Sequence, residues 1–277
     1  MQAVILAAGE SKRFWPLSEN KHKSLVKICG KYLIEWCINT LENIGIREII
    51  IVQSARKDIE NCIGKKDNII FLTQEEPKGM GDALEKCKDF LNDYFLVLSP
   101  YHLEEDILAN IIKTFKRRRN PILLLSKTKN PKEYGIVKIE DNKVIEIVEK
   151  PNGANEKVYF KIVSIYLLAK DFFNFHVNTS HYSFEEALNK MIKNYEFENV
   201  FLDKEPLTLK YPWDLFNFSK YIIENIIEKP FISNNAKVSE KSIIENSYID
   251  NNAEIKENSI VKDSYVGKNS FIGNNSL

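Results

Sequence analysis

Val4 to Ala7 form an apolar run that passes straight into small residues, Ala8-Gly9-Glu10-Ser11, and Arg13, Pro16-Leu17 and Lys23 follow. A strand that ends in small residues lets backbone N–H groups close on a phosphate, and a guanidinium and an ammonium nearby add fixed positive charge. The chemistry that suits this set is the holding of a nucleoside triphosphate at the carboxyl end of a sheet strand. An ordinary first strand with a tight turn needs only the apolar run and the glycine. Arg13, Pro16, Leu17 and Lys23 are what it does not need.

Leu6-Ala7-Ala8-Gly9, Arg13, Pro16-Leu17 and Lys23 together resemble the signature of the sugar-1-phosphate nucleotidylyltransferases, with Ser11 where that family has glycine and His22 where it has proline. The resemblance implies the joining of a nucleoside triphosphate to a sugar 1-phosphate with release of pyrophosphate. It implies catalytic work for Arg13 and Lys23, and nucleotide contacts from Leu6, Ala8 and Gly9. It continues at Gln74 and at Gly79-Met80-Gly81-Asp82-Ala83. There Gln74 is implied to read the nucleobase edge, for which an amide offers a donor and an acceptor together, while Gly79 lets the base approach backbone. A polar loop capping a helix that starts near Asp82 explains the same residues without a ligand. Tyr134-Gly135 with Glu149-Lys150-Pro151 is similar to the family's sugar-contacting strand pair, Glu149 accepting from sugar hydroxyls and Lys150 neutralising phosphate. A surface ion pair on a hairpin is the alternative.

The family's cofactor is Mg²⁺, held by an aspartate after the strand Phe95–Leu98 and by another ahead of Tyr211-Pro212-Trp213-Asp214. Tyr101 and Thr208 occupy those two positions here, and Lys210 stands where the family has glycine. A neutral phenol and a threonine hydroxyl do not replace carboxylates at a hard divalent cation, so no metal ligand is expected from them. Glu104, Glu105 and Asp106 are assigned to the opening of the next helix, and Asp214 to the N-cap of a helix over Leu215–Ile227. Ile162-Val163-Ser164 replaces Asn-Ala-Gly, which places a side chain where the ligand would meet bare backbone. Two readings follow. One is an active nucleotidylyltransferase whose metal is held by other groups. The other is a non-catalytic relative that binds a nucleotide or sugar nucleotide and regulates or scaffolds a catalytic partner. A purely assembling protein would leave Arg13, Lys23, Gln74, Glu149 and Lys150 unexplained.

The elements that must position these residues are written in the patterning. Apolar runs at Val4–Ala7, Ile49–Val52, Ile69–Leu72, Phe95–Leu98 and Ile122–Leu125 alternate with helix-like stretches over Lys31–Ile44, Gly81–Phe90 and Leu108–Arg117. The spacing predicts an α/β fold with a doubly wound, mostly parallel sheet, Rossmann-like, and ligands beyond the carboxyl ends of its strands. Val137–Val148 reads as a hairpin around Glu140-Asp141-Asn142. From Asn234 the text repeats. Small residues fall at Ala236, Ser242, Ser247, Ala253, Ser259, Ser264, Ser270 and Ser276, so that the block recurs every 17 residues, each small residue two before an aliphatic one up to Ile272. This resembles the hexapeptide repeat of a left-handed parallel β-helix, about three coils long. The predicted organisation is a nucleotidyltransferase-like domain over 1–228 and the β-helix over 229–277. The histidines, His22, His102, His176 and His181, all precede the repeats, so the acyltransferase activity of longer relatives is not expected. A short stack needs a cap at its open end, from further residues or from association, and a homo-oligomer, or a hetero-oligomer with a catalytic relative, is expected.

Composition narrows the classes. Among 277 residues, 39 are Lys or Arg and 39 are Asp or Glu. That balance gives no general attraction to nucleic acid or to an anionic membrane. No run approaches the ~20 apolar residues of a membrane span, and the opening run is too short for a signal peptide, so a cytoplasmic location is expected. Cys29, Cys37, Cys62 and Cys87 share no CxxC spacing and read as reduced, buried thiols.

Overall fold

The computed structural model describes every residue except 142, 150, 152–157, 178–181 and 228–229. In chain order its first strands are β1 (Gln2–Ala7), β2 (Lys27–Ile28), β3 (Lys31–Tyr32), β4 (Glu48–Ser54), β5 (Ile69–Gln74), β6 (Tyr94–Leu98), β7 (Ile122–Thr128), β8 (Gly135–Glu140), β9 (Lys143–Glu149), β10 (Tyr159–Ala169) and β11 (Glu198–Phe201). The helices are α1 (Leu33–Asn43), α2 (Asp58–Ile63), α3 (Met80–Glu85), α4 (Glu105–Arg118), α5 (Phe172–Phe175), α6 (Ser183–Asn194) and α7 (Leu215–Asn225). The short strands β12 (Phe231–Ile232), β13 (Lys237–Val238), β14 (Ile243–Glu245), β15 (Tyr248–Ile249), β16 (Glu254–Ile255), β17 (Ile260–Lys262), β18 (Tyr265–Val266) and β19 (Phe271–Ile272) close the chain. Contacts divide the chain into two compact units, each drawn from two stretches: Met1–Ser11 with Cys37–Pro206, and Lys12–Trp36 with Leu207–Leu277.

The first unit is a mostly parallel α/β sheet. Among the described residues its order is β11-β7-β10-β6-β1-β4-β5, with β8 and β9 joined through β10. β1 runs parallel to β4 and β6, and β4 to β5, whereas β10 is antiparallel to both β6 and β7. Ala3, Val4 and Ile5 are fully buried. A strand apolar on both faces needs cover on both, which is the condition of an interior parallel strand. β10 is not among the strands that the apolar runs predict, because Lys161 and Ser164 interrupt its apolar text. The hairpin of β8 and β9 pairs Glu140 with Lys143, as its spacing predicts.

The helix boundaries differ from the sequence pattern for local reasons. α1 begins at Leu33 because Lys31 and Tyr32 pair with Ile28 and Lys27, through a turn in which Cys29 and Gly30 have φ of 48° and 79°. α3 stops at Glu85, and a separate 3₁₀ turn covers Lys88–Phe90, where the N–H of Phe90 bonds to the carbonyl of Cys87. Cys29, Cys37 and Cys87 are buried, and burial pushes each thiol up to about 12; Cys62 departs from the expectation and is exposed. Among the described residues no helix is long and apolar enough to cross a membrane.

In the second unit the C-terminal strands stack in parallel with a 17-residue step: Phe231, Tyr248 and Tyr265 lie in register, as do Lys237, Glu254 and Phe271. The aliphatic residues turn inward, with Ile249, Ile255, Val261 and Val266 buried around Ala253 and with Val238, Ile244 and Ile272 packed against them. The corners explain the abundance of asparagine. Asn246, Asn252, Asn258, Asp263, Asn269 and Asn275 all have positive φ, which Asn and Asp accept more readily than other non-glycine residues. Their amides ladder between turns, Asn252 to Asn269 and Asn258 to Asn275, each at 3.3 Å.

Gly30 is fixed by one of these stacked side chains. A Cβ there would lie 2.6 Å from the Tyr248 hydroxyl oxygen, at a φ of +79°. Gly30→Ala is expected to cost about 1–2 kcal/mol for the left-handed backbone alone and more for the contact. Adding Tyr248→Phe should return the second part and not the first. Urea unfolding of both single variants and the double variant checks this as a cycle; strictly additive losses would show that the hydroxyl is not in the way.

Candidate functional site

A cleft of about 330 Å³ lies within the first unit, where β1 and its neighbours end. Leu6, Ala8 and Gly9 come from β1 and the turn after it, Gln74 ends β5, and Gly79 and Met80 open α3. Leu98 and Ser99 arrive from β6, Ser164 and Tyr166 from β10. The chain leaves β1 toward β4 and β5 on one side and returns to β6 on the other, so the cleft stands at the reversal point of strand order, where open α/β sheets bind ligands. A Cβ added at Gly9 would meet no protein atom within 4 Å. The protein itself does not require glycine there, and the bare backbone is left to whatever enters.

Gln74 is buried and its orientation is set by a carboxylate. Its Nε2 donates to the carbonyl of Gly79 at 3.0 Å and to Oδ2 of Asp82 at 2.8 Å. A carboxylate accepts only, so Asp82 decides which end of the amide is nitrogen. Both amide hydrogens are used, and the carbonyl oxygen is the group that Gln74 has to offer. Asp82 lies in the first turn of α3, where negative charge is favoured. Tyr166, on the β10 wall, is buried, and burial, with Glu185 and Glu149 beyond it, holds its hydroxyl well above the ordinary tyrosine range, so the wall is a neutral phenol.

In the second unit a cationic group surrounds one lysine. The Lys23 ammonium donates to the carbonyl of Leu209. Burial, then the nearby Arg13 guanidinium, lowers its pKa from 10.5 to about 8; Asp214 opposes the shift and Lys210 adds to it. The Arg13 guanidinium lies 5.8 Å from the centre of the Tyr211 ring, which stacks on Trp213 at 4.7 Å. Asp214 does not cap α7 as expected. Its Oδ2 accepts the backbone N–H groups of Lys210 and Tyr211 at 2.7 and 2.8 Å, because a 3₁₀ turn over Pro212–Asp214 points the carboxylate backward.

A family model described as Nucleotidyl transferase matches residues 2–214. The chain belongs to the nucleotidyl transferase family. The bifunctional protein GlmU of Methanococcus maripaludis is 29% identical over 247 residues, which cover 86% of this chain and 59% of that protein. The UTP–glucose-1-phosphate uridylyltransferase AglF of Haloferax volcanii is 26% identical over 230 residues, 77% of this chain and 93% of the relative. The crystal structure of a putative glucose-1-phosphate thymidylyltransferase from Bacillus anthracis superposes with a TM-score of 0.72 at 21% identity, covering 83% of this chain and 98% of that one, which shows the shared fold. The chain spans a little over half the length of the GlmU relatives that it matches.

Of the nucleotidyl transferase residues expected from sequence, Leu6, Ala8, Gly9, Gln74 and Gly79 come together in the cleft. Glu149 pairs with Gly135 across β8 and β9, and its Oε2 lies 2.9 Å from where a Gly135 Cβ would stand, which accounts for that glycine. Lys150 lies outside the described residues. Arg13 and Lys23 belong to the second unit. Glu105 and Asp106 open α4 as expected, but the buried Glu104 turns back to the N–H of Leu103 at 3.0 Å. Sequence reasoning missed Ser99, and it noted Ser164 only as a replaced glycine.

The residues present do not fit Mg²⁺. At the two positions where the resemblance leads one to expect metal ligands stand Tyr101, whose ring lies 5.1 Å from that of His102, and Thr208, and neither side chain is a carboxylate. Among the described residues no group of three or more His, Cys, Asp or Glu lies together as a metal site.

Lys23 carries a pH signature. A lysine whose folded pKa is depressed costs stability while it is charged, and the cost is relieved as pH rises from about 8 toward its unfolded value of 10.5. The denaturation midpoint of the protein is therefore expected to rise between pH 8 and pH 10 relative to that of Lys23→Met. Parallel curves for the two proteins across that window would show that Lys23 is not held near pKa 8.

Proposed function

We propose that the chain binds a nucleoside triphosphate or a nucleotide sugar in the cleft and does not run the family's metal-dependent transfer to a sugar 1-phosphate. One contrast carries this reading. Gln74 is held in place by Asp82 and Gly79 with its carbonyl oxygen to spare, while Tyr101 and Thr208 stand where metal carboxylates would be. A carbonyl acceptor suits a base with a ring N–H, as in uracil, thymine or guanine. The bare backbone at Gly9 suits a phosphate. Within the second unit Arg13, Lys23 and Lys210 concentrate positive charge, which suits an anion, and Glu149 with Lys150 is assigned by the resemblance to a sugar phosphate.

Nucleotidyl transfer proceeds by positioning and by stabilising charge on phosphorus oxygens. The divalent ion is ordinarily the largest charge in such a site, and losing its ligands removes several kcal/mol of transition-state stabilisation. Binding needs less. The chain is accordingly assigned to a regulatory or scaffolding role beside a catalytic relative, as a homo-oligomer or with that relative. The 17-residue register of parallel pairs supports reading 229–277 as a short left-handed β-helix used in assembly, attached to a nucleotidyltransferase domain over 1–228. A second reading, turnover, draws support from the retained Arg13 and from Lys23, which at a pKa of about 8 is still charged at neutral pH.

Calorimetry with UTP in the presence of a chelator is expected to show binding in the millimolar range or tighter, and no heat at millimolar UTP would refute the nucleotide reading. Pyrophosphate release from UTP and glucose 1-phosphate with Mg²⁺ is expected to be absent for the unmodified protein. Robust release would establish turnover. Release gained only by the double variant Tyr101→Asp, Thr208→Asp would support the loss of metal ligands.

A further inference from the structure

Three side chains with no role so far stand in file behind one wall of the cleft. Ser164 lines the cleft and is half-buried. Its Oγ is 3.1 Å from Nε2 of His102, and Nδ1 of His102 is 3.9 Å from Oε2 of Glu104. His102 and Glu104 are 1% and 6% exposed. Other titratable groups beside the ring include the Tyr101 phenol, 5.1 Å away between ring centres, and the Cys37 thiol of α1, which neighbours both His102 and Glu104 and is kept protonated by burial. Glu104 is the carboxylate that faces Nδ1 of the imidazole. Ser164 falls where β10 slips register against β7, between Ile162 and Tyr166, an irregularity of the kind that re-aims side chains.

A carboxylate near Nδ1 favours the proton on that nitrogen, so that Nε2 accepts the Ser164 O–H and the serine oxygen offers lone pairs to a ligand. When the ring gains a second proton, Nε2–H donates to Oγ and the serine hydrogen is released toward the ligand. One proton therefore inverts the hydroxyl from acceptor to donor. Sheet order says which part of a ligand meets it. Gln74 ends β5 and Ser164 lies on β10, with β4, β1 and β6 between them, four strand steps or about 19 Å at the usual spacing. With the base at Gln74 and the phosphates at Gly9, the group beyond the phosphates reaches Ser164.

We propose that Ser164 reads the sugar end of a nucleotide sugar and that the charge on His102 sets its preference: a sugar offering a hydroxyl or amide hydrogen when the ring is neutral, an acidic sugar when it is charged. This rests on the nucleotide reading of the cleft. UDP-glucose and UDP-glucuronate test it, because neither ligand titrates between pH 5.5 and pH 7.5 and both values lie below the pKa of Lys23. The affinity ratio of UDP-glucuronate to UDP-glucose is expected to rise about 3- to 10-fold on acidification in the unmodified protein, the size of one hydrogen bond. It should stay flat in Ser164→Ala and in His102→Gln, and Ser164→Ala alone decides if the histidine variant does not fold. A ratio that ignores pH, or that responds equally in Ser164→Ala, overturns this inference and leaves the nucleotide reading standing. Failure of every variant to bind either ligand overturns both.

Discussion

Parallel pairing of β1 with β4 on one side and β6 on the other is the constraint from which the first unit follows. The registers place Leu6 beside Val52 and Ile5 beside Leu98, so adjacent strands finish at the same edge. Parallel strands also oblige the chain to cross over a face of the sheet between them, which is why helices intervene and why the strands are apolar on both faces. Ala8, Gly9 and Ser99 then run past the ladder at one edge, and the cleft forms there. Its position is a property of the topology before it is a property of any side chain.

The polar groups at this edge share a manner of support. Gln74 is held by Asp82 and Ser164 by His102. Each of these groups already has a partner of its own. Ordering such side chains in the free protein lowers the entropy lost when something binds, and it also fixes which atoms are donors and which are acceptors. The same arrangement explains why binding and catalysis can separate. Gln74 and Ser164 are braced neutral groups, whereas a divalent cation needs anionic oxygens.

Much of this was legible in the sequence because it depends on local text. Val4–Ala7 announces a buried strand, Gly9 a bare turn, and the 17-residue recurrence of small and aliphatic residues a stacked repeat. β10 was not legible, since its residues face a bulge and a polar cleft wall and the run is broken at Lys161 and Ser164. Asp214 reads as a cap from its place before a helix, while the 3₁₀ turn that aims its carboxylate back at Lys210 and Tyr211 depends on Pro212. The link from Ser164 to His102 joins residues 62 apart, and no spacing rule reaches that far.

The 17-residue step of the C-terminal stack makes that part of the molecule additive in length. Within the stack each turn pairs with the turn before and after it, so one more block laid on the last turn would present the same aliphatic residues inward and the same asparagine corners outward, and would leave the Tyr248–Gly30 contact untouched. A single extra residue would not be so lenient. It would rotate the following turns out of phase, bring aliphatic side chains to the surface and set the Asn252–Asn269 and Asn258–Asn275 rungs against unlike neighbours. Change in this region is therefore quantised: the stack can lengthen by whole blocks at little structural cost, and not by fractions of a block.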